Sequence, residues 1–212
     1  MNNQKIILIG GGGHCKACID VIEQTGKFEI VGIIDLPEKV GQTILGYPII
    51  GTDEQTLSFK SRTDFFLVTI GQIGLPKRRK AIFEQLKNKN CNFATVISPM
   101  AYVSKHADIG EGSIIMHQAL VNAGAKIGYN CIINNKALIE HDAIIGNNCH
   151  VSTASIINGG VKLGDNSFYG SGAVSKEYID IEDNTIIGAS SFVRKEIKVS
   201  GIYAGNPIKK YK

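Results

Sequence analysis

The sequence predicts an α/β, Rossmann-like domain over residues 1–96 followed by a β-helix over residues 97–212. Three observations carry this. Short aliphatic runs alternate with helical patterns in the first part. The first run ends in four consecutive glycines. From Ile97 onward, an aliphatic residue returns at every sixth position without a break in register.

The elements follow in order. Lys5-Ile6-Ile7-Leu8-Ile9 reads as a buried strand that ends in Gly10-Gly11-Gly12-Gly13-His14. A helix follows, with Ala17, Val21 and Ile22 on one face. Ile30-Val31-Gly32-Ile33-Ile34 is a second strand, closed by Asp35. Residues 64–70 form a third strand ending at Gly71, residues 75–89 a helix with Pro76 in its first turn, and residues 92–97 a fourth strand. This is a small parallel sheet covered on both faces. Glycines after the first strand let a ligand approach the backbone, and the following helix N-terminus offers N–H donors to a phosphate. Asp35 stands at the end of the next strand, placed to accept hydrogen bonds from a base or ribose. Gly10 and Gly12 fit a dinucleotide fingerprint, but its third glycine is replaced by Cys15. The sheet is short for a whole dinucleotide, so a single nucleotide or nucleotide-linked sugar fits better.

In the second part the series runs Ile97, Val103, Ile109, Ile115 and so on to Val193, aliphatic everywhere except Tyr169 and Ser175. Four residues after each member comes a second series, from Ala101 to Ile197. It is Ala, Ser, Cys or Thr except at Val161, Ile179 and Ile197. A period of six is neither helical nor a simple strand alternation. It suits a solenoid with flat β faces, where the large residue fills each coil and the small one lets the chain turn a corner.

Composition narrows the function classes. The 212 residues carry 24 glycines and no tryptophan, and 43% are hydrophobic. The net charge of +4 is small. Lys77-Arg78-Arg79-Lys80 reads as a solvated helix face and Lys209-Lys210-Tyr211-Lys212 as a frayed tail, neither long enough to imply nucleic acid. No leader is expected before the first strand, and no apolar run reaches the ~18 residues of a membrane span. Five scattered cysteines without an export signal suggest reduced thiols in a cytoplasm. Cys15 and Cys18 form a C-x-x-C with neither a second pair for zinc nor a redox context.

The chain resembles a known family over nearly its full length. The matching residues are Ile7-Leu8-Ile9-Gly10-Gly11-Gly12-Gly13-His14, Gly32-Ile33-Ile34-Asp35, Leu45-Gly46-Tyr47-Pro48-Ile49-Ile50-Gly51, Ile139-Glu140-His141-Asp142, His150-Val151-Ser152 and Gly205-Asn206-Pro207. The six-residue repeat is similar to that of the hexapeptide-repeat acyltransferases, whose fold is a left-handed parallel β-helix. The chain as a whole resembles their bacterial sugar-modifying branch, related to sialic acid O-acetyltransferases and nucleotide-amino-sugar N-acetyltransferases.

This resemblance implies acetyl-CoA as cosubstrate, no metal, a homotrimer, and N-acetylation of a nucleotide-activated amino sugar for surface glycan synthesis. O-acetylation of a sialic-acid-type sugar is the alternative, and a non-catalytic or metal-binding β-helix protein is the alternative of another class. The implied site residues are His141 as general base with Asp142 supporting it. Gly12, Gly13, His14, Asp35 and Gly71 are implied around the nucleotide sugar, and His150, Gly170, Ser171 and Ala189 along acetyl-CoA. Some relatives carry two acids after the second strand; here Leu36 follows Asp35, which leaves the base preference open. His106 and His117 match no motif and are expected on the surface.

Overall fold

The computed structural model describes residues 3–211; Met1, Asn2 and Lys212 lie outside them. The N-terminal sheet contains β1 (Gln4–Ile9), β2 (Phe28–Ile34), β3 (Thr43–Ile44), β4 (Tyr47–Gly51) and β5 (Phe65–Val68). Its order is β3-β4-β2-β1-β5. β1 pairs in parallel with β2 and β5, and β4 adds to β2 in the same direction. Only β3 is antiparallel, turned onto β4 through Leu45 and Gly46, both at positive φ.

Strand alternation sends Ile6 and Leu8 to one face and Ile7 and Ile9 to the other, and all four are fully buried. α1 (Gly13–Thr25) covers the first face with Cys15, Cys18, Ile19 and Ile22. α2 (Lys77–Lys87) covers the second with Phe83 and Leu86. The α2 helix is shorter than the expected 75–89, with Pro76 as its N-cap. The expected strand at 92–97 does not form as one piece. Phe93 makes a lone bridge to Phe66, while Val96–Ile97 already belongs to the first coil of the solenoid.

The remainder is a left-handed parallel β-helix with three faces. The first face stacks Val96–Ile97, Ile114–Ile115, Ile132–Ile133, His150–Val151, Phe168–Tyr169 and Thr185–Ile187. Partners on each face are three repeats apart, so one aliphatic series forms three buried ladders. Ile97 is still 36% exposed and Val103 and Ile109 half-buried, because the first coil has a neighbour on one side only.

The corners have a cause beyond the small inward residue. A positive φ recurs every six residues, at Gly112, Gln118, Gly124, Asn130, Lys136, Asp142, Asn148, Ala154, Gly160, Asn166, Gly172, Tyr178, Asn184 and Ser190. Each precedes a residue of the small series, so the left-handed residue turns the chain and the small one fits inside the turn. After the last full coil, strand Gly201–Ala204 extends the first face, and Lys209–Lys210 folds back antiparallel to it. The supposed frayed tail is therefore paired at these two residues.

The two parts share a core. Val96, Ile114, Met116 and Ile132 of the coils pack in one cluster with α1 and the sheet. His117, expected on the surface, is half-buried in this junction. Its Nδ1 lies 2.7 Å from Ser98 Oγ and its Nε2 2.8 Å from Asp20 Oδ2 of α1. His106 is exposed as expected.

Candidate active site

A cleft of about 690 Å³ opens where the carboxyl ends of β2, β1 and β5 meet the coils. The loop after β1 forms its floor. Gly10 sits at φ 100° against Ile70. A Cβ at Gly11 would lie 2.6 Å from Asp35 Oδ2. Gly12 is the N-cap of α1 and supplies no capping side chain; the Cys15 N–H turns back to the Gly12 carbonyl at 3.1 Å, which leaves the Gly13 and His14 N–H groups to meet an anion. Gly71 packs against the His14 side chain.

Asp35 is buried to 7% exposure and densely bonded. Its Oδ1 accepts the Leu36 N–H at 2.8 Å. Its Oδ2 accepts the Gly11 N–H at 3.1 Å and the Lys39 ammonium at 2.9 Å. Burial alone would raise the carboxyl pKa, but the Lys39 and backbone hydrogen bonds outweigh it and hold it below the ordinary value.

Two histidines line the same cleft. His150 Nδ1 is 2.6 Å from the Gln72 carbonyl oxygen, so Nδ1–H donates and Nε2 is left as acceptor for the Asn134 amide at 3.1 Å. Burial is the main cause that lowers its pKa to about 4, with Arg79 adding to it. His14 falls to about 3, through burial first and then the nearby His150 and Arg79. Its Nε2 has no partner among the described residues.

Arg79 corrects the expectation of a solvated basic face. It is 1% exposed, and its guanidinium donates to the Asn130 carbonyl of a coil corner. Nε and Nη2 have no partner among the described residues. Arg78 is the exposed neighbour. It pairs with Asp53 at 3.1 Å and lines the cleft mouth.

His141 and Asp142 lie elsewhere, on the corner between the second and third faces. His141 Nδ1 is 2.9 Å from Asp142 Oδ2, so Nδ1–H donates to the carboxylate and Nε2 is free to accept a proton. The ring lies over Gly159 of the next coil, where a Cβ would stand 2.6 Å from Nε2. Glu140 Oε2 accepts the His141 N–H at 3.3 Å and the Asn122 amide at 2.9 Å, which fixes the turn.

Gly12, Gly13, His14, Asp35, Gly71 and His150 therefore converge, while His141 and Asp142 do not line that cleft. Gly170, Ser171 and Ala189 lie on the corner between the first and second faces. This is the corner that carries Asn134, continued through Ser152, whose Oγ is 2.9 Å from Ser171 Oγ. His150 thus joins the N-terminal crevice to the start of this track. Sequence reading missed Lys39, Gln72, Asn134, Arg78 and Gly159. For Gly159 a signal existed, since it stands three repeats after His141 and so directly above it. Cys15 and Cys18 are buried free thiols, and among the described residues no cluster of three or more His, Cys, Asp or Glu could hold a metal. No helix of the described residues is long and apolar enough to cross a membrane.

Residues 5–86 match the PglD N-terminal domain family. UDP-N-acetylbacillosamine N-acetyltransferase of Bacillus subtilis (strain 168) is 31% identical over 117 residues, covering 53% of this chain and 51% of that protein. The chain spans about half or less of the length of the curated relatives it matches. PerB from Caulobacter crescentus, solved with CoA and GDP-perosamine, superposes with a TM-score of 0.90 at 30% identity, covering 98% of this chain and 97% of that one. The acetyltransferase domain of PglB from Neisseria gonorrhoeae FA1090 gives 0.91 at 28% identity, covering 99% and 100%.

Proposed function

Because this chain belongs to the hexapeptide-repeat sugar acyltransferases, we propose that it transfers the acetyl group of acetyl-CoA to the amine of a nucleotide-activated amino sugar in surface glycan biosynthesis. The observation that carries this reading is the His141–Asp142 pair, with Nε2 free on the outside of a coil whose fold also holds a nucleotide-sized cleft. Relatives named for N-acetylation of such sugars support it.

The amine nitrogen attacks the thioester carbonyl carbon, and His141 Nε2 takes the proton that the nitrogen must lose. Asp142 holds the imidazole in the Nδ1–H tautomer and stabilises its protonated form. The C–S bond then breaks, and the same proton passes from Nε2 to the departing thiolate. His150 has its Nδ1–H occupied by Gln72, so it orients the Asn134 amide rather than donating. The second N–H of that amide is the donor for the developing oxyanion. Gly170, Ser171 and Ala189 then lie along the pantetheine arm. Gly12, Gly13 and His14 hold the diphosphate region, with Gly71 beside His14.

One chain does not bring His141 to its own cleft. The reading therefore includes a homotrimer, in which a neighbouring subunit supplies the second wall, working in the cytoplasm. The test is thiol release from acetyl-CoA in the presence of UDP-, GDP- and CMP-linked 4-amino sugars. Release with at least one, abolished by His141→Ala, is expected. No release with any of them, alongside acetylation of a sialic acid hydroxyl, would overturn N-acetylation.

A further inference from the structure

The cleft's order of parts follows from the sheet. β2, β1 and β5 are adjacent, so Asp35, the glycine loop and Gln72 stand in a row, with His150 beyond Gln72. Strands ~4.8 Å apart make β2 and β5 ~10 Å distant. Resting on the reading above, acyl transfer takes place at the His150 end and the diphosphate lies at the α1 N-terminus. The nucleoside then falls at Asp35, Leu36 and Lys39.

The hydrogen-bond capacity left at that end is restricted. An ionised carboxylate offers about four lone-pair sites. Oδ2 of Asp35 is occupied twice, by Gly11 N–H and Lys39, and Oδ1 once, by Leu36 N–H. One site on Oδ1 remains. The Watson–Crick edge of guanine presents two parallel donors, N1–H and N2–H, which need both oxygens. A ribose cis-diol gripped by both hydroxyls makes the same demand. An imide base presents a single donor, N3–H, flanked by carbonyl oxygens. Lys39 has further N–H groups beside Asp35 to meet one of those carbonyls, and Leu36, 37% exposed in the cleft wall, gives the ring an apolar surface.

We propose that the Asp35–Lys39 pair reads an imide nucleobase, uracil or thymine, so that the acceptor is a uridine- or thymidine-diphosphate sugar and not a guanosine one. Lys39 is the residue that sets this choice, because it removes the second oxygen from guanine's reach.

Calorimetric titration of the full chain with UDP, dTDP, GDP and CDP tests it. UDP or dTDP should bind at least about tenfold more tightly than GDP, since a guanine donor left unpaired costs that much. Lys39→Met, which keeps the stem and frees Oδ2, should shrink the preference over GDP by about the same factor. GDP or CDP binding as tightly as UDP and dTDP, or a preference unchanged in Lys39→Met, overturns the proposal. Imide-selective binding without acetyl transfer to any amine would leave this reading of Asp35 standing and remove the proposed activity. Absence of binding by all four nucleotides would remove both.

Discussion

Gly159→Ala is the sharpest probe of where the reaction occurs. Its Cβ would stand 2.6 Å from His141 Nε2 and 2.7 Å from Cε1, whereas ordinary carbon contacts begin near ~3.5 Å. The imidazole must therefore move by about 1 Å. It can do so cheaply, because it is the far end of a side chain that is 50% exposed. Stability should change by less than about 0.5 kcal/mol, as for an ordinary surface substitution. Catalysis should not be so tolerant, because a displacement of about 1 Å at a reacting group costs on the order of 10²-fold. We expect kcat to fall by about that factor with the KM for the nucleotide sugar little changed, since Gly159 does not line the cleft. Steady-state thiol release, with a thermal melt as control, measures both. Wild-type kcat in Gly159→Ala, beside an inactive His141→Ala, would refute the placement of the ring over Gly159 during the reaction.

Three more outcomes follow from the buried groups. His14 and His150 titrate near 3 and 4 in the fold against an ordinary 6.5, so the unfolded chain takes up protons first as pH falls. Their contribution to stability is full above pH 6.5 and is lost progressively from there toward pH 4 for His150 and pH 3 for His14, and melts across this window should flatten in part in His150→Asn. Arg79→Met replaces a buried cation that has no carboxylate partner among the described residues with an apolar chain of similar size. Urea unfolding should shift by less than about 1.5 kcal/mol, and the His150 pKa, followed by NMR, should rise. A loss above about 3 kcal/mol would contradict this account of Arg79. At the domain junction, Asp20 is 57% exposed, so Asp20→Ala should cost no more than about 1 kcal/mol. Ser98→Ala, at a residue 1% exposed and bonded to both His117 and the Met100 N–H, should cost more. Urea midpoints giving the reverse order would mean that the Asp20–His117 contact dominates the junction.

The solenoid was legible because its inward positions repeat with one period, and burial acts on every coil alike. The turning residues were equally periodic yet went unread, since Gln118, Lys136 and Tyr178 share with Gly and Asn a conformation that composition does not display. Arg79 was hidden by its neighbours. The run of four basic residues reads as solvated, but Arg79, Phe83 and Leu86 share the spacing of one helix face, and that face is buried. His141 and Asp142 could be placed on an outer corner from the repeat alone. The Gln72–His150–Asn134 junction could not, because its members meet across two parts of the chain and no local period relates them.

The hairpin that closes the first face bears on how the protein behaves in bulk. A ladder of parallel strands with repeating side chains is, seen end-on, a short length of fibril, and its last strand would template another chain. Here that growing end is reversed in direction, cut to two residues and charged on both, by Lys209 and Lys210. The pair acts as a chain terminator in the polymer sense. Neutralising it, without touching any catalytic group, would trade a discrete particle for one inclined to elongate.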